Sequence, residues 1–272
     1  MSKASHWLKS FFTSIYWLLY FKHWKISDVF DDLYAGQDRG QVLRGIFRDV
    51  FGDEFAEEVD PTGFLAMSEL RTIAERLEVG EGKSLVDLAC GLGGAGLWVA
   101  RETGARLIGV DISPNAVEKA RRRIDSFGLA GRAEFRVGDF AATELPGEAF
   151  DGAMSTDSLF LVPDRTGSIR ETARLLRRGA RFLCTTWELN AAGGIKDYRP
   201  LLKDAGFEVE AYDESPGWEA RQRTVYERIL AEQPRLIEDM GKATAMVWVR
   251  DAQAEMPRLP KMRRVLITAR KV

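Results

Sequence analysis

The chain reads as an α/β protein whose second part is a doubly wound sheet with helices on both faces. Two observations predict this. From residue 84 onward, short apolar segments alternate with helical ones, the pattern of parallel strands joined by crossover helices. Residues 86–96, Val-Asp-Leu-Ala-Cys-Gly-Leu-Gly-Gly-Ala-Gly, form an apolar strand with an acid near its end and then a glycine-rich turn that opens a helix. A turn without Cβ atoms lets a nucleotide-like ligand approach the backbone, and the emerging helix offers unpaired N–H groups. Asp87 beside such a turn suits a cationic or amino-bearing ligand; a phosphate would gain nothing from it.

Residues 1–80 read as helical, with segments near 5–22, 27–35, 38–51 and 62–78 and a break at Asp60-Pro61-Thr62-Gly63. Strand 84–89 leads to helix 94–103, and strand 105–111 to a helix capped by Ser113, with Pro114 at its first position and Gly128 at its end. Strands at 133–138 and 149–155, a helix at 165–178, a strand at 180–187, a helix at 195–205 and a strand at 207–212 continue the rhythm. Residues 216–256 interrupt it with helical spacing of Val225, Tyr226, Ile229, Leu230, Leu236, Ile237 and Met240, and Pro234 forces a kink or a new start. Residues 263–272 close the chain as a strand, so 216–256 is an insertion before it. The expected organisation is a helical lid or oligomerisation segment, 1–80, and a ligand-binding domain, 81–272, whose insertion helps build a substrate pocket.

The formal charge of −2 over 272 residues argues against a surface that coats nucleic acid. Two cysteines, Cys90 and Cys184, make no disulfide framework and no CxxC pair, which fits a reduced, cytoplasmic setting, and no metal site is expected. Ten of the 28 aromatic residues fall within residues 1–34. The apolar run 11–21 is shorter than the roughly 20 residues a bilayer span needs, and Lys22-His23-Trp24-Lys25 offers no small-residue cleavage site. A helix there is apolar on two sides, which suits core or subunit packing or a lid over an apolar substrate better than membrane insertion. A homo-oligomer through this aromatic helix is therefore an expected partner arrangement, alongside a small-molecule substrate.

Gly91-Leu92-Gly93-Gly94-Ala95-Gly96 fits GxGxxG, and Asp111 lies 20 residues beyond Gly91 at the next strand end. Alone, these leave a nicotinamide dinucleotide open as the ligand. The flanking residues decide. Asp87-Leu-Ala89-Cys90-Gly91-Leu-Gly93, Val110-Asp111-Ile112-Ser113, Val137-Gly138-Asp139-Phe140 and Leu175–Leu183 resemble, in order and spacing, the signature blocks of class I S-adenosylmethionine-dependent methyltransferases. The resemblance covers residues 80–190 and, with the last strand, most of 80–272; Ala89 stands where the family has its first glycine. It implies a Rossmann-like seven-stranded sheet, mostly parallel with an antiparallel last strand, and S-adenosylmethionine as cofactor. By that resemblance Asp111 takes the ribose hydroxyls, and Asp139 with Phe140 clamps the adenine. Ala89, Cys90, Gly91, Gly93 and Ile112 line the cofactor turn. At the end of the fourth strand, Ser155 or its backbone carbonyl is expected to face the cofactor's amino-acid part.

A methyl on a sulfonium is already activated, so alignment and exclusion of water are the protein's main tasks. An alcohol or phenol acceptor benefits from a base. The candidates are His23, if the aromatic segment folds over the cleft, and Asp157, which follows the fourth strand and could orient an acceptor hydroxyl or cap the next helix. Trp17, Tyr20, Phe160, Trp218 and Tyr226 are the expected substrate contacts. Together they point to methyl transfer to oxygen or carbon of an apolar small molecule, a secondary metabolite or quinone-like compound. The alternatives are a fold that keeps the cofactor only to shape a pocket for cyclisation or binding, and an NAD-dependent oxidoreductase.

Overall fold

The computed structural model describes residues 27, 30, 31, 34, 40–59 and 63–272. Residues 27, 30, 31 and 34 are helical. They are followed by α1, Gln41–Phe51, and α2, Met67–Arg76. The alternating part then runs β1 Ser84–Leu88, α3 Gly94–Thr103, β2 Arg106–Asp111, α4 Pro114–Arg123, β3 Ala133–Val137 and β4 Phe150–Thr156. After α5, Arg165–Leu175, come β5 Leu176–Leu189, α6 Arg199–Asp204 and β6 Phe207–Glu214. Three helices, α7 Trp218–Ala231, α8 Gln233–Met240 and α9 Lys242–Glu255, precede the last strand, β7 Met262–Lys271.

The seven strands form one sheet in the order β3-β2-β1-β4-β5-β7-β6. The inner pairs are parallel, and β7 inserts antiparallel between β5 and β6, as the resemblance implies. The chain leaves β1 in one direction and returns at β4 in the other. This reversal opens a crevice at the carboxyl ends of the central strands, where doubly wound sheets bind their ligands. Leu85, Val86 and Leu88 of β1 are fully buried because helices cover both faces.

Local chemistry sets most boundaries. The Ser113 hydroxyl accepts from the Ala116 amide at 3.1 Å and Pro114 opens α4, while Pro234 sits in the first turn of α8 and separates it from α7. The helix expected over 165–178 stops at Leu175. Leu176 pairs with Phe150, so cross-strand hydrogen bonds claim a Leu-Arg-Arg stretch that would suit a helix in isolation. The segment expected as a helix over 195–205 contracts to 199–204, with Pro200 in its first turn. No helix among the described residues is long and apolar enough to cross a membrane.

Candidate active site

At the end of β1 the chain turns sharply: Ala89, Gly91 and Gly93 have φ of +54°, +53° and +71°. The glycines do different work. A Cβ on Gly93 would lie 2.5 Å from the Phe135 ring, so this glycine, expected in the cofactor turn, serves close packing of the turn on β3. A Cβ on Gly94 would lie 1.8 Å from the Val59 carbonyl oxygen, which is how closely the N-terminal segment rides on the turn. Arg123 clamps that contact by donating to the carbonyls of Val59 and Leu92 at 3.2 and 3.0 Å. Gly91 lines the cavity, and a Cβ there would lie 2.7 Å from the Tyr34 hydroxyl. Ala89, in the left-handed region, shows why the family prefers glycine at this position; an L side chain there is strained by roughly 1–2 kcal/mol.

Three carboxylates stand near the carboxyl ends of successive strands. Asp111 lines the cavity; its Oδ2 accepts from the Gly91 amide at 2.7 Å and its Oδ1 from the Ser113 amide at 2.9 Å. It therefore ties the glycine turn to the start of α4 while keeping lone pairs for a ligand. Burial raises its pKa, and those backbone N–H groups pull the other way. Asp139, with one oxygen on the Ala141 amide at 2.8 Å, lines the cavity together with Ile112, Phe140 and Cys90. Asp87 is different. It is 1% exposed, and neither carboxylate oxygen has a hydrogen-bond partner. Burial, reinforced by the charge of Asp111 and partly offset by the Gly96 amide, pushes its pKa up to about 8. Because the folded value lies above the unfolded one, burying Asp87 is tolerated best in acid, and its cost grows as the pH rises through about 8. Asp87 does not itself line the cavity, which the strand reaches two residues on at Ala89; with only the nearby Gly96 amide to offset its burial, an acid there suits a cationic amino group and opposes a pyrophosphate.

The crevice is one cavity of about 240 Å³. Its cofactor side is the turn just described. Its other side is aromatic and aliphatic, lined by Phe30, Phe47, Phe51, Phe55 and Leu65 together with Leu161, Val162 and Pro163 of the β4–α5 loop, while Tyr34 sits against the turn itself. Phe30 and Tyr34 stack at 6.2 Å, and the segment carrying them is fastened to α4: Asp31 accepts from the Ser113 hydroxyl, and Lys119 donates to the Tyr34 carbonyl at 2.6 Å. Burial beside Asp111 and Cys90 drives the Tyr34 phenol well above its usual range, so it stays protonated.

Several expected contacts lie elsewhere. Ser155, expected to face the cofactor, is fully buried; its hydroxyl donates to the Leu88 carbonyl at 2.8 Å and bonds Ser158, bridging β4 to β1. Trp218 and Tyr226, expected over the substrate, belong to the apolar core between the insertion and α1, because that helical layer must bury its own face. Phe160 packs on Trp187 at 4.7 Å and does not line the cavity. Asp157, expected as an acid–base group, does line the cavity, but its carboxylate is engaged. It pairs with Arg264 at 2.7 Å and accepts from Thr185 at 2.7 Å and from the Phe64 amide at 2.6 Å. Burial raises its pKa and Arg264 opposes the rise. His23, Trp17 and Tyr20 lie outside the described residues.

Sequence reading missed Phe47, Phe51, Phe55 and Arg264. The phenylalanines recur at helical spacing on α1 and just beyond it, a visible signal, but one that core packing produces equally well. Arg264 was signalled only by a charge next to the apolar run Val265–Ile267.

Comparisons with known proteins agree with this geometry. Residues 85–179 match the family described as "Methyltransferase domain". Methyltransferase GfsG of Streptomyces halstedii is 28% identical over 193 residues, 62% of this chain and 69% of its own length. Methyltransferase phqN of Penicillium fellutanum is 31% identical over 159 residues, 58% of this chain but only 47% of its own length. The solved [4+2]-cyclase SpnF superposes with a TM-score of 0.68 at 24% identity, covering 87% of this chain and 96% of that one. The Haemonchus contortus phosphoethanolamine N-methyltransferase 2 complex with S-adenosylhomocysteine gives 0.65 at 19% identity, covering 84% and 57%. The buried acid, the glycine turn and the carboxylates at the strand tips all fit a cationic adenosyl ligand, and with residues 85–179 matching a methyltransferase domain they support S-adenosylmethionine as the cofactor.

Proposed function

We propose that the chain transfers a methyl group to an oxygen or carbon of an apolar small molecule, a secondary metabolite or quinone-like compound. The observation that supports this most is the continuity of one cavity from the glycine turn to the wall of Phe30, Phe47, Phe51 and Phe55. S-adenosylmethionine supplies an electrophilic methyl when bound. Asp87 would neutralise the ligand's amino group, Asp111 would take its hydroxyls and Asp139 with Phe140 its base. The aromatic wall would exclude water and hold the acceptor in line, which is where most of the acceleration in such a transfer arises. With Asp157 committed to Arg264, the acceptor that fits best is a carbon nucleophile or an ionised phenolate, neither of which needs a strong base. Residues 1–80 act in this reading as the lid or subunit contact, and the setting is cytoplasmic.

A second reading, cofactor-dependent shaping of a pocket for cyclisation, is favoured by that same engagement of Asp157. Incubation with labelled S-adenosylmethionine and either a quinol ionised at the assay pH or phosphoethanolamine separates the possibilities. Methylated quinol with equimolar S-adenosylhomocysteine is expected. Turnover of phosphoethanolamine alone contradicts the acceptor class, and conversion of the quinol without S-adenosylhomocysteine favours the second reading.

A further inference from the structure

Among the described residues Arg264 is the largest fully buried side chain, 1% exposed in the interior of β7, and it does not line the cavity. Its guanidinium lies 4.7 Å from the centroid of the Trp187 ring and bridges two buried acids, Asp157 at 2.7 Å and Glu69 at 2.8 Å. Each acid then grips a backbone amide of one short stretch. Asp157 Oδ2 accepts from Phe64 at 2.6 Å, and Glu69 Oε2 accepts from Ala66 at 2.9 Å. That stretch joins the N-terminal segment to the body. Gly63 and Leu65 face the cavity from it, and Ala66 bridges Phe55, which also lines the cavity. Asp157 holds a φ of +55°, in the left-handed region that aspartate enters more readily than most L residues.

We propose that Arg264 is a positioning residue for the acceptor chamber: through Asp157 and Glu69 it fixes residues 63–66, and with them the wall that faces the cofactor turn. The arginine suits this because its planar fork reaches both carboxylates at once. The proposal rests on the reading of the cavity as a methyl-transfer site, but its geometry can be probed without knowing the acceptor.

The two acids are not equivalent, and this gives the test. Glutamine in place of Glu69 can keep its oxygen toward Ala66 and Arg264 and turn its amide toward the Ser215 hydroxyl, which now donates to Glu69 and can equally accept. Asparagine in place of Asp157 cannot be satisfied. Its amide must face either the Arg264 guanidinium or the Phe64 N–H, and both are donors. Gly63→Ala breaks the tether from the other side, because the new Cβ would lie 2.6 Å from Asp157 Oδ2.

Hydrogen–deuterium exchange of the full chain, read peptide by peptide, measures the hold on residues 63–66. Asp157→Asn, Gly63→Ala and Arg264→Lys are each expected to speed exchange at 63–66 at least tenfold with β4, β5 and β7 unchanged, while Glu69→Gln matches the native chain. Equal protection in Asp157→Asn and Glu69→Gln overturns the proposal, as does acceleration spread through the sheet, which would mark general support. Should Asp157→Asn fail to fold, Gly63→Ala carries the decision. S-adenosylhomocysteine titrated into the native chain tests the underlying reading separately: failure to bind contradicts that reading and leaves the exchange result standing.

Discussion

The two halves of the cavity treat buried charge in opposite ways. On the acceptor side, Asp157 and Glu69 are saturated with donors from Arg264, Thr185, Ser215 and two backbone amides. On the cofactor side, Asp87 is as deeply buried, with no side-chain donor and only the Gly96 amide to offset its charge. A buried charge completed by the protein holds architecture in place; one left incomplete is a place for a ligand to complete. The same residue type, at the ends of neighbouring strands, thus does structural work at Asp157 and, in the proposed function, binding work at Asp87.

Breaking the saturated half is expected to cost most. Arg264→Met leaves two buried acids without their cation and should destabilise the chain by about 3–5 kcal/mol in denaturant unfolding. A loss below about 1 kcal/mol would show that the cluster is less isolated from water than its burial implies. The smallest effect sharpens the cofactor half. Ala89→Gly relieves a left-handed alanine at the cost of a looser unfolded chain, for a net gain of about 0.5–1 kcal/mol in the same assay. A net loss would mean that packing of the Ala89 methyl outweighs its backbone strain.

The same contrast explains what the sequence disclosed. The cofactor half is built from contiguous motifs at strand ends, residues 87–96, 110–113 and 137–140, where spacing alone brings the groups together. Two of its features read differently in the structure: the Ser155 hydroxyl is spent on Leu88 and Ser158, and Ala89, standing where the family has glycine, holds a positive φ. The acceptor half is assembled from α1, the 63–66 stretch, the β4–α5 loop and β7, so its contacts depend on tertiary packing that no local pattern encodes. Trp218 and Tyr226 carried the same aromatic signal as Phe47 and Phe51, and all four share one buried cluster, yet only the phenylalanines also reach the cavity. Asp157 read as a free acid because its partner lies 107 residues away.

Calorimetric titration of S-adenosylhomocysteine between pH 6 and 8, with the native chain and Asp87→Asn compared, tests the central claim most directly. If the ligand's amino group completes the Asp87 carboxylate, native affinity should rise with pH toward about 8, approaching tenfold per pH unit, and the variant should bind weakly with no such slope. Native and variant curves of equal slope, or NADH binding as tightly as S-adenosylhomocysteine, would contradict it.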